Sequence, residues 1–198
     1  VIENLLSLSP NLLDLYKAAG PTIREEGMRW YQEANKIALS LTERFLLASC
    51  SHAAGVIAVL SPAVQWEVNC RDAESVCAAR KGQDVTVSTY GQFKEKALAI
   101  RDGDDPIKWI NPRTAPKTYA FWKCIKDPDN AAHVVIDRHA IAALLGRHLT
   151  DKERGGILKK VGAYQKYSQV YKDAAIEVGI LPSQMQAICW IQWRNNHA

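Results

Sequence analysis

Apolar residues recur at intervals of three and four along most of the chain. Trp30, Ile37 and Leu41 form one such stripe, and Phe93, Ala97 and Ile100 form another, the period of an amphipathic helix. Helix-start signals punctuate the pattern. Ser9-Pro10 and Ser61-Pro62 each set a capping serine before a proline at the first helical position. Thr22 with Glu25, Ser40 with Glu43 and Thr150 with Glu153 have capping-box spacing. Asp105-Pro106 and Pro182-Ser183 mark two further starts, and Gly20, Gly82, Gly103 and Gly179 fall where the periodicity stops. Strand-like runs are confined to Val85-Thr86-Val87 and Val134-Val135-Ile136. The pattern predicts an all-α protein of roughly eight to ten short helices. The stretch from Asp102 to Pro116, rich in Asp, Pro and Gly, should be loop with one short helical turn.

Composition narrows the class without naming it. With 198 residues, 47% hydrophobic and 23% charged, the chain can bury a full core and is not a disordered protein. A net charge of +4 suits a polyanionic partner without demanding one. The five cysteines, Cys50, Cys70, Cys77, Cys124 and Cys189, are odd in number and contain no C-x-x-C pair. That points to buried free thiols in an intracellular setting rather than a disulfide framework or a zinc site. Cys70 and Cys77, seven apart, should share a helix face. No charged-then-apolar leader follows Val1, and the longest apolar stretch, Ala53 to Leu60, is too short to span a bilayer. Neither secretion nor membrane residence is therefore expected.

Two junctions carry candidate chemistry. In Asn111-Pro-Arg-Thr-Ala-Pro-Lys117-Thr-Tyr-Ala-Phe-Trp, Pro116 falls near the first helical position, so Lys117 lies in the first turn. The positive end of the helix dipole disfavours an ammonium there, and partial burial favours the neutral amine, a nucleophile. The plainer reading is a solvated lysine that opens a helix. At the second junction, Asp137 separates the apolar Val134-Val135-Ile136 from a helical run with Ala140, Ile141, Leu144 and Leu145 on one face. As an N-cap it would accept from the amides of Arg138, His139 and Ala140. A carboxylate held in that way can stabilise positive charge developing on a substrate, although capping alone also explains the residue.

Three stretches together resemble the helix-hairpin-helix DNA glycosylase superfamily. Ala54-Gly-Val-Ile-Ala-Val-Leu-Ser-Pro-Ala-Val-Gln-Trp-Glu-Val-Asn69 is similar to that family's I-A-V-L-L-S-x-Q helix pair. Pro112-Arg-Thr-Ala-Pro-Lys117-Thr118 resembles its P-G-x-G-x-K-T hairpin, and Val135-Ile136-Asp137-Arg138-His139 its V-D-x-H segment. The order and the Lys-to-Asp separation match, from Ala54 to Leu149. The resemblance implies a single all-α domain over 1–198 with two lobes, about 1–50 plus 135–198 and 51–134, flanking a cleft that receives a flipped-out nucleotide. It implies a base-excision glycosylase, with or without strand cleavage, in which Lys117 attacks the sugar C1′ and Asp137 activates it and stabilises oxocarbenium-like charge. The nucleic-acid contacts it implies are Gln65, Trp66, Asn69, Arg113, Thr114, Ala115, Thr118, Arg138 and His139.

The departures are specific. Arg113 and Ala115 stand where the family has glycines whose amides approach a DNA phosphate. Gln65 sits two places later than the family's glutamine. Only Cys189 lies near the C-terminus, so no iron–sulfur cluster, and no other cofactor or metal, is expected. The expected partner is DNA carrying a damaged or modified base, with the protein acting as an intracellular monomer of cellular or viral origin. Two alternatives stay open: a DNA base-hypermodification enzyme on the same fold, and a non-catalytic all-α nucleic-acid-binding protein.

Other features carry less. His133, His139 and His148 lack metal-site spacing. The C-terminal run with Gln186, Trp190 and Trp193 reads as a docking helix, with an aromatic platform for a base as the alternative. Lys152, Arg154, Lys159, Lys160, Lys166 and Lys172 make the densest basic region, a solvated face or a phosphate-facing one.

Overall fold

The computed structural model describes residues 9–160 and 162–197. The start of the chain, on which the expectation of no leader rests, lies outside them. The described residues are all-α, with no strand. Eleven α-helices succeed one another among them: α1 (Ser9–Ala18), α2 (Pro21–Phe45), α3 (Cys50–Leu60), α4 (Trp66–Ala78), α5 (Gly91–Arg101), α6 (Pro106–Trp109), α7 (Pro116–Lys126), α8 (Arg138–Leu145), α9 (Asp151–Gly156), α10 (Ala163–Val178) and α11 (Pro182–Asn196). A 3-10 turn, Ile157–Lys159, follows α9. The chain forms two compact units, Val1–Tyr31 with Asp129–Ala198 and Gln32–Pro128, so one boundary falls inside α2.

In the second unit α3 is the pivot, packed by α4, α5, α6 and α7. Every residue from Ala53 to Leu60 is buried, and a helix apolar all round needs neighbours on all sides. Burying Ile57 or Leu60 contributes about 1.5–3 kcal/mol each, enough to override the weak helix propensity of Val56, Ile57 and Val59. Polar ties close the unit. Asn35 Nδ2 donates to the carbonyl of Ile125 at 2.8 Å, serving the last turn of α7. The buried Asp72 carboxylate accepts from the Ser88 amide at 2.7 Å, which pins the non-helical 79–90 segment to α4.

In the first unit α11 packs on α1, α8 and α10 around Leu12, Ile136, Ile141, Leu144, Tyr171 and Met185. Tyr171 is fully buried and donates to the Ala140 carbonyl at 2.8 Å. Burial pushes its phenol well above the ordinary tyrosine range, helped by the nearby Cys189 and Asp137. The extended run Val134-Val135-Ile136 is buried without a sheet partner, so its backbone groups need another source of hydrogen bonds. Tyr164 supplies it: its hydroxyl donates to the Val134 carbonyl at 2.9 Å and accepts from the Ile136 amide at 3.1 Å. Tyr164→Phe should therefore cost about 2 kcal/mol, the scale of orphaning buried polar groups. Denaturant unfolding measures it, and a loss below about 0.5 kcal/mol would contradict this assignment.

Two start signals behave otherwise than the sequence predicts, whereas Thr22 falls in the first turn of α2, which opens at Pro21. Ser40 lies inside the single helix α2, and Ser61-Pro62 ends α3 rather than opening a helix. The Ser61 hydroxyl turns back to the Ala58 carbonyl and so serves a preceding turn instead of capping a following one. By contrast, Asp105, Pro116, Thr150 and Pro182 open α6, α7, α9 and α11.

Candidate nucleic-acid interface

Lys117 and its neighbours belong to the second unit. The short α6, packed on α3 and α5, leads through the loop from Ile110 to Ala115 into α7, and Asp105 caps α6 through the Ile107 amide. Pro116 takes the first position of α7, which leaves Lys117, half-buried, at the second. The loop turns on Asn111. Its side-chain oxygen accepts from the Arg113 amide at 2.8 Å, and its carbonyl accepts from the Ala115 amide at 2.8 Å. The two amides at the positions of the missing glycines are thus engaged within the loop. Ala115 has no side chain that can cap α7, so it leaves the amides of Lys117 and Thr118 at a positive helix end. Arg113 and Thr114 are exposed and Thr118 is half-buried. Ile107 and Trp109, on α6, are exposed as well.

The α3–α4 turn joins this neighbourhood through one aromatic contact. Trp66, in the first turn of α4, meets Phe121 edge-to-face at 6.3 Å, and Phe121 lies one helical turn after Lys117 on the same face of α7. Gln65 is exposed at the α4 N-cap, while Asn69 is 2% exposed with its Oδ1 unpartnered. Gln65, Trp66 and Lys117 therefore share a unit, and Asn69 lies beneath its surface.

Asp137 belongs to the first unit. It caps α8, with one oxygen accepting from the His139 amide at 2.9 Å and the Ala140 amide at 2.8 Å. The Arg138 amide, which the sequence adds to this set, is not among its donors. These two bonds fix the orientation of the carboxylate at the start of α8. Arg138 is exposed and His139 half-buried; the Arg138 Nε donates to His139 Nε2 at 3.2 Å. Both line a pocket of about 180 Å³ with Ala142, His148, Leu149 and Arg154. Sequence reasoning missed His148 and Arg154 as pocket members. Beside the pocket the Arg147 guanidinium forks onto Glu153 and, with Thr150, holds that carboxyl down at about 2.

The remaining candidates are settled by packing. Trp193 is buried in the first unit's core, and Gln186 is buried accepting from the Tyr31 hydroxyl at 2.9 Å, so α11 is a docking helix. Desolvation raises the thiols of Cys77, Cys124 and Cys189 to about 12, far from a reactive thiolate. Among the described residues no three His, Cys, Asp or Glu side chains gather as a metal site requires, and no single helix is long and apolar enough to cross a membrane.

Fold and candidate site together define an all-α protein with one lysine and one carboxylate, each held at the start of a helix. The chain belongs to DUF7178, a family of unknown function whose model matches residues 4–197. No curated protein and no solved structure matches it.

Proposed function

We propose that the chain is a divergent helix-hairpin-helix DNA glycosylase, two-lobed in the manner of that superfamily, acting on a damaged or modified base. The observation that carries the reading is the helix–loop–helix segment: a short capped helix, a tight loop, and a second helix with Lys117 in its uncapped first turn. An uncapped positive helix end suits a backbone phosphate. The neighbouring Arg113 supplies side-chain charge where the loop's own amides are engaged. Asp137, capping α8 after a buried extended run, supports the second half of the chemistry.

In this mechanism the Lys117 amine attacks C1′ of the flipped-out nucleotide. The C1′–base bond breaks, and its electron pair leaves with the base, which takes up a proton. The fixed Asp137 anion stabilises the positive charge that develops on the sugar. A proton shed from nitrogen and opening of the sugar ring give a Schiff base, from which β-elimination can cleave the strand. The test is borohydride trapping on an oligonucleotide with one abasic site. A covalent adduct on a denaturing gel is the expected result. Absence of both an adduct and any base release, across a panel of modified bases, would refute it.

One observation favours a second reading, base modification without strand cleavage. The Arg113 and Ala115 amides are occupied by Asn111, so the loop lacks the amide cradle used for ordinary duplex grip. A changed base with no adduct and no nick distinguishes it.

A further inference from the structure

We infer that the pocket between α8 and α9 in the first unit is a receptor for one phosphate group. Its lining joins Arg138 and His139 from α8, His148 from the following loop and Arg154 from α9 over an apolar floor of Ala142 and Leu149. No carboxylate lines it. Three acids lie nearby: Glu153 is engaged by the Arg147 fork and Thr150, Asp137 accepts from the His139 and Ala140 amides, and the exposed Asp151 meets Arg154 at 3.5 Å.

Two of these side chains are positioned before any ligand arrives. Arg154 Nε donates to the Leu149 carbonyl at 3.2 Å, which anchors its guanidinium to the pocket's own wall. The His148 ring stands edge-on to Trp193 at 5.6 Å and to His197 at 4.8 Å, and those two rings stack on each other at 3.9 Å. Side chains ordered in advance lose little entropy on binding. Donors from three chain segments suit a tetrahedral anion, whose oxygens point in different directions, better than a planar carboxylate, which one guanidinium fork satisfies. Arg138 directly follows Asp137, so a phosphate seated here lies beside the nucleotide that Asp137 addresses. Identifying that phosphate as a nucleic-acid backbone diester rests on the proposed function; the pocket's choice of phosphate does not.

The experiment titrates the intact chain with inorganic phosphate while following the histidine ring resonances by NMR, and with a single-stranded oligonucleotide by fluorescence anisotropy. Saturable shifts of the His139 and His148 rings are expected. Arg154→Gln and His148→Gln should each weaken phosphate binding about tenfold, the scale of a hydrogen bond to a charged group. Each should also lower the salt slope of oligonucleotide binding by about one. Circular dichroism confirms that both variants fold. Absence of saturable shifts, or wild-type phosphate affinity in both variants, overturns the inference. Weakened phosphate binding with unchanged oligonucleotide affinity and salt slope retains the receptor and overturns the backbone as its source. Borohydride trapping is scored in parallel. An adduct without phosphate binding sinks the pocket alone, and phosphate binding without an adduct or base release sinks the glycosylase reading alone.

Discussion

Lys117→Ala should abolish the borohydride adduct, with a loss of at least about a thousandfold in the rate of its formation. The side chain is half-buried in the first turn of α7, where alanine is a better helix former than lysine, so the variant should fold. Lys117→Arg sharpens the test. It keeps a cation at the same place, and with it the attraction for a phosphate, but a guanidinium stays protonated and cannot form the Schiff base. Oligonucleotide affinity within a few-fold of wild type, together with complete loss of trapping, separates a nucleophile from a counter-charge. Asp137→Asn completes the pair. Asparagine caps a helix about as well as aspartate, so both amide bonds from His139 and Ala140 can persist and stability should barely move. If the carboxylate stabilises developing positive charge, adduct formation should slow by about 10²–10³-fold. Trapping by Lys117→Ala, or an unchanged rate in Asp137→Asn, would reduce these residues to helix punctuation.

The all-α architecture was legible because the apolar period runs three and four almost throughout, and because proline and aspartate at α6, α7, α8 and α11 act locally. Asp137 caps α8 through amides two and three residues away, an interaction a linear sequence can display. Misreadings arose where a local signal competed with a tertiary one. The box at Ser40 has the right residues at the right spacing. Yet Tyr31, Ala34, Ala38 and Leu41 form one buried stripe that carries α2 through without a break, and burial outweighs a cap worth about 1 kcal/mol. Tyr164 left no local trace, since its partners are 28 and 30 residues away. The pocket on α8 was invisible for the same reason: His148 and Arg154 reach Arg138 and His139 only once α8, its loop and α9 are folded together. In the loop before α7, Asn111 did carry a signal. An asparagine ahead of Pro-Arg is a turn residue whose oxygen can reach an amide two residues on, and it does so at Arg113.

Gly27→Ala should be the most disruptive single-methyl change in the first unit. Gly27 is buried within α2, inside a pattern that gives no reason for a glycine, and an interior helical glycine costs about 1 kcal/mol relative to alanine. The structure supplies the reason. A Cβ at this position would stand 2.4 Å from Ile188 Cγ1, 2.7 Å from the Ile188 amide nitrogen and 2.8 Å from its Cα. Rotating the isoleucine relieves only the first contact; the other two are with the backbone of α11. Relief therefore requires α2 and α11 to separate, loosening contacts that include the Tyr31 hydroxyl's bond to Gln186. Overpacking against a rigid backbone costs about 3 kcal/mol or more. Set against the propensity gain of about 1 kcal/mol, it leaves a net destabilisation of at least about 2 kcal/mol. In a chain of this size that lowers the melting temperature by about 4–8 °C. Gly91→Ala is the control: it opens α5 with nothing within 4 Å of the new methyl, so it should be neutral or slightly stabilising. Equal melting temperatures for the two variants would show that α2 and α11 do not depend on this close approach.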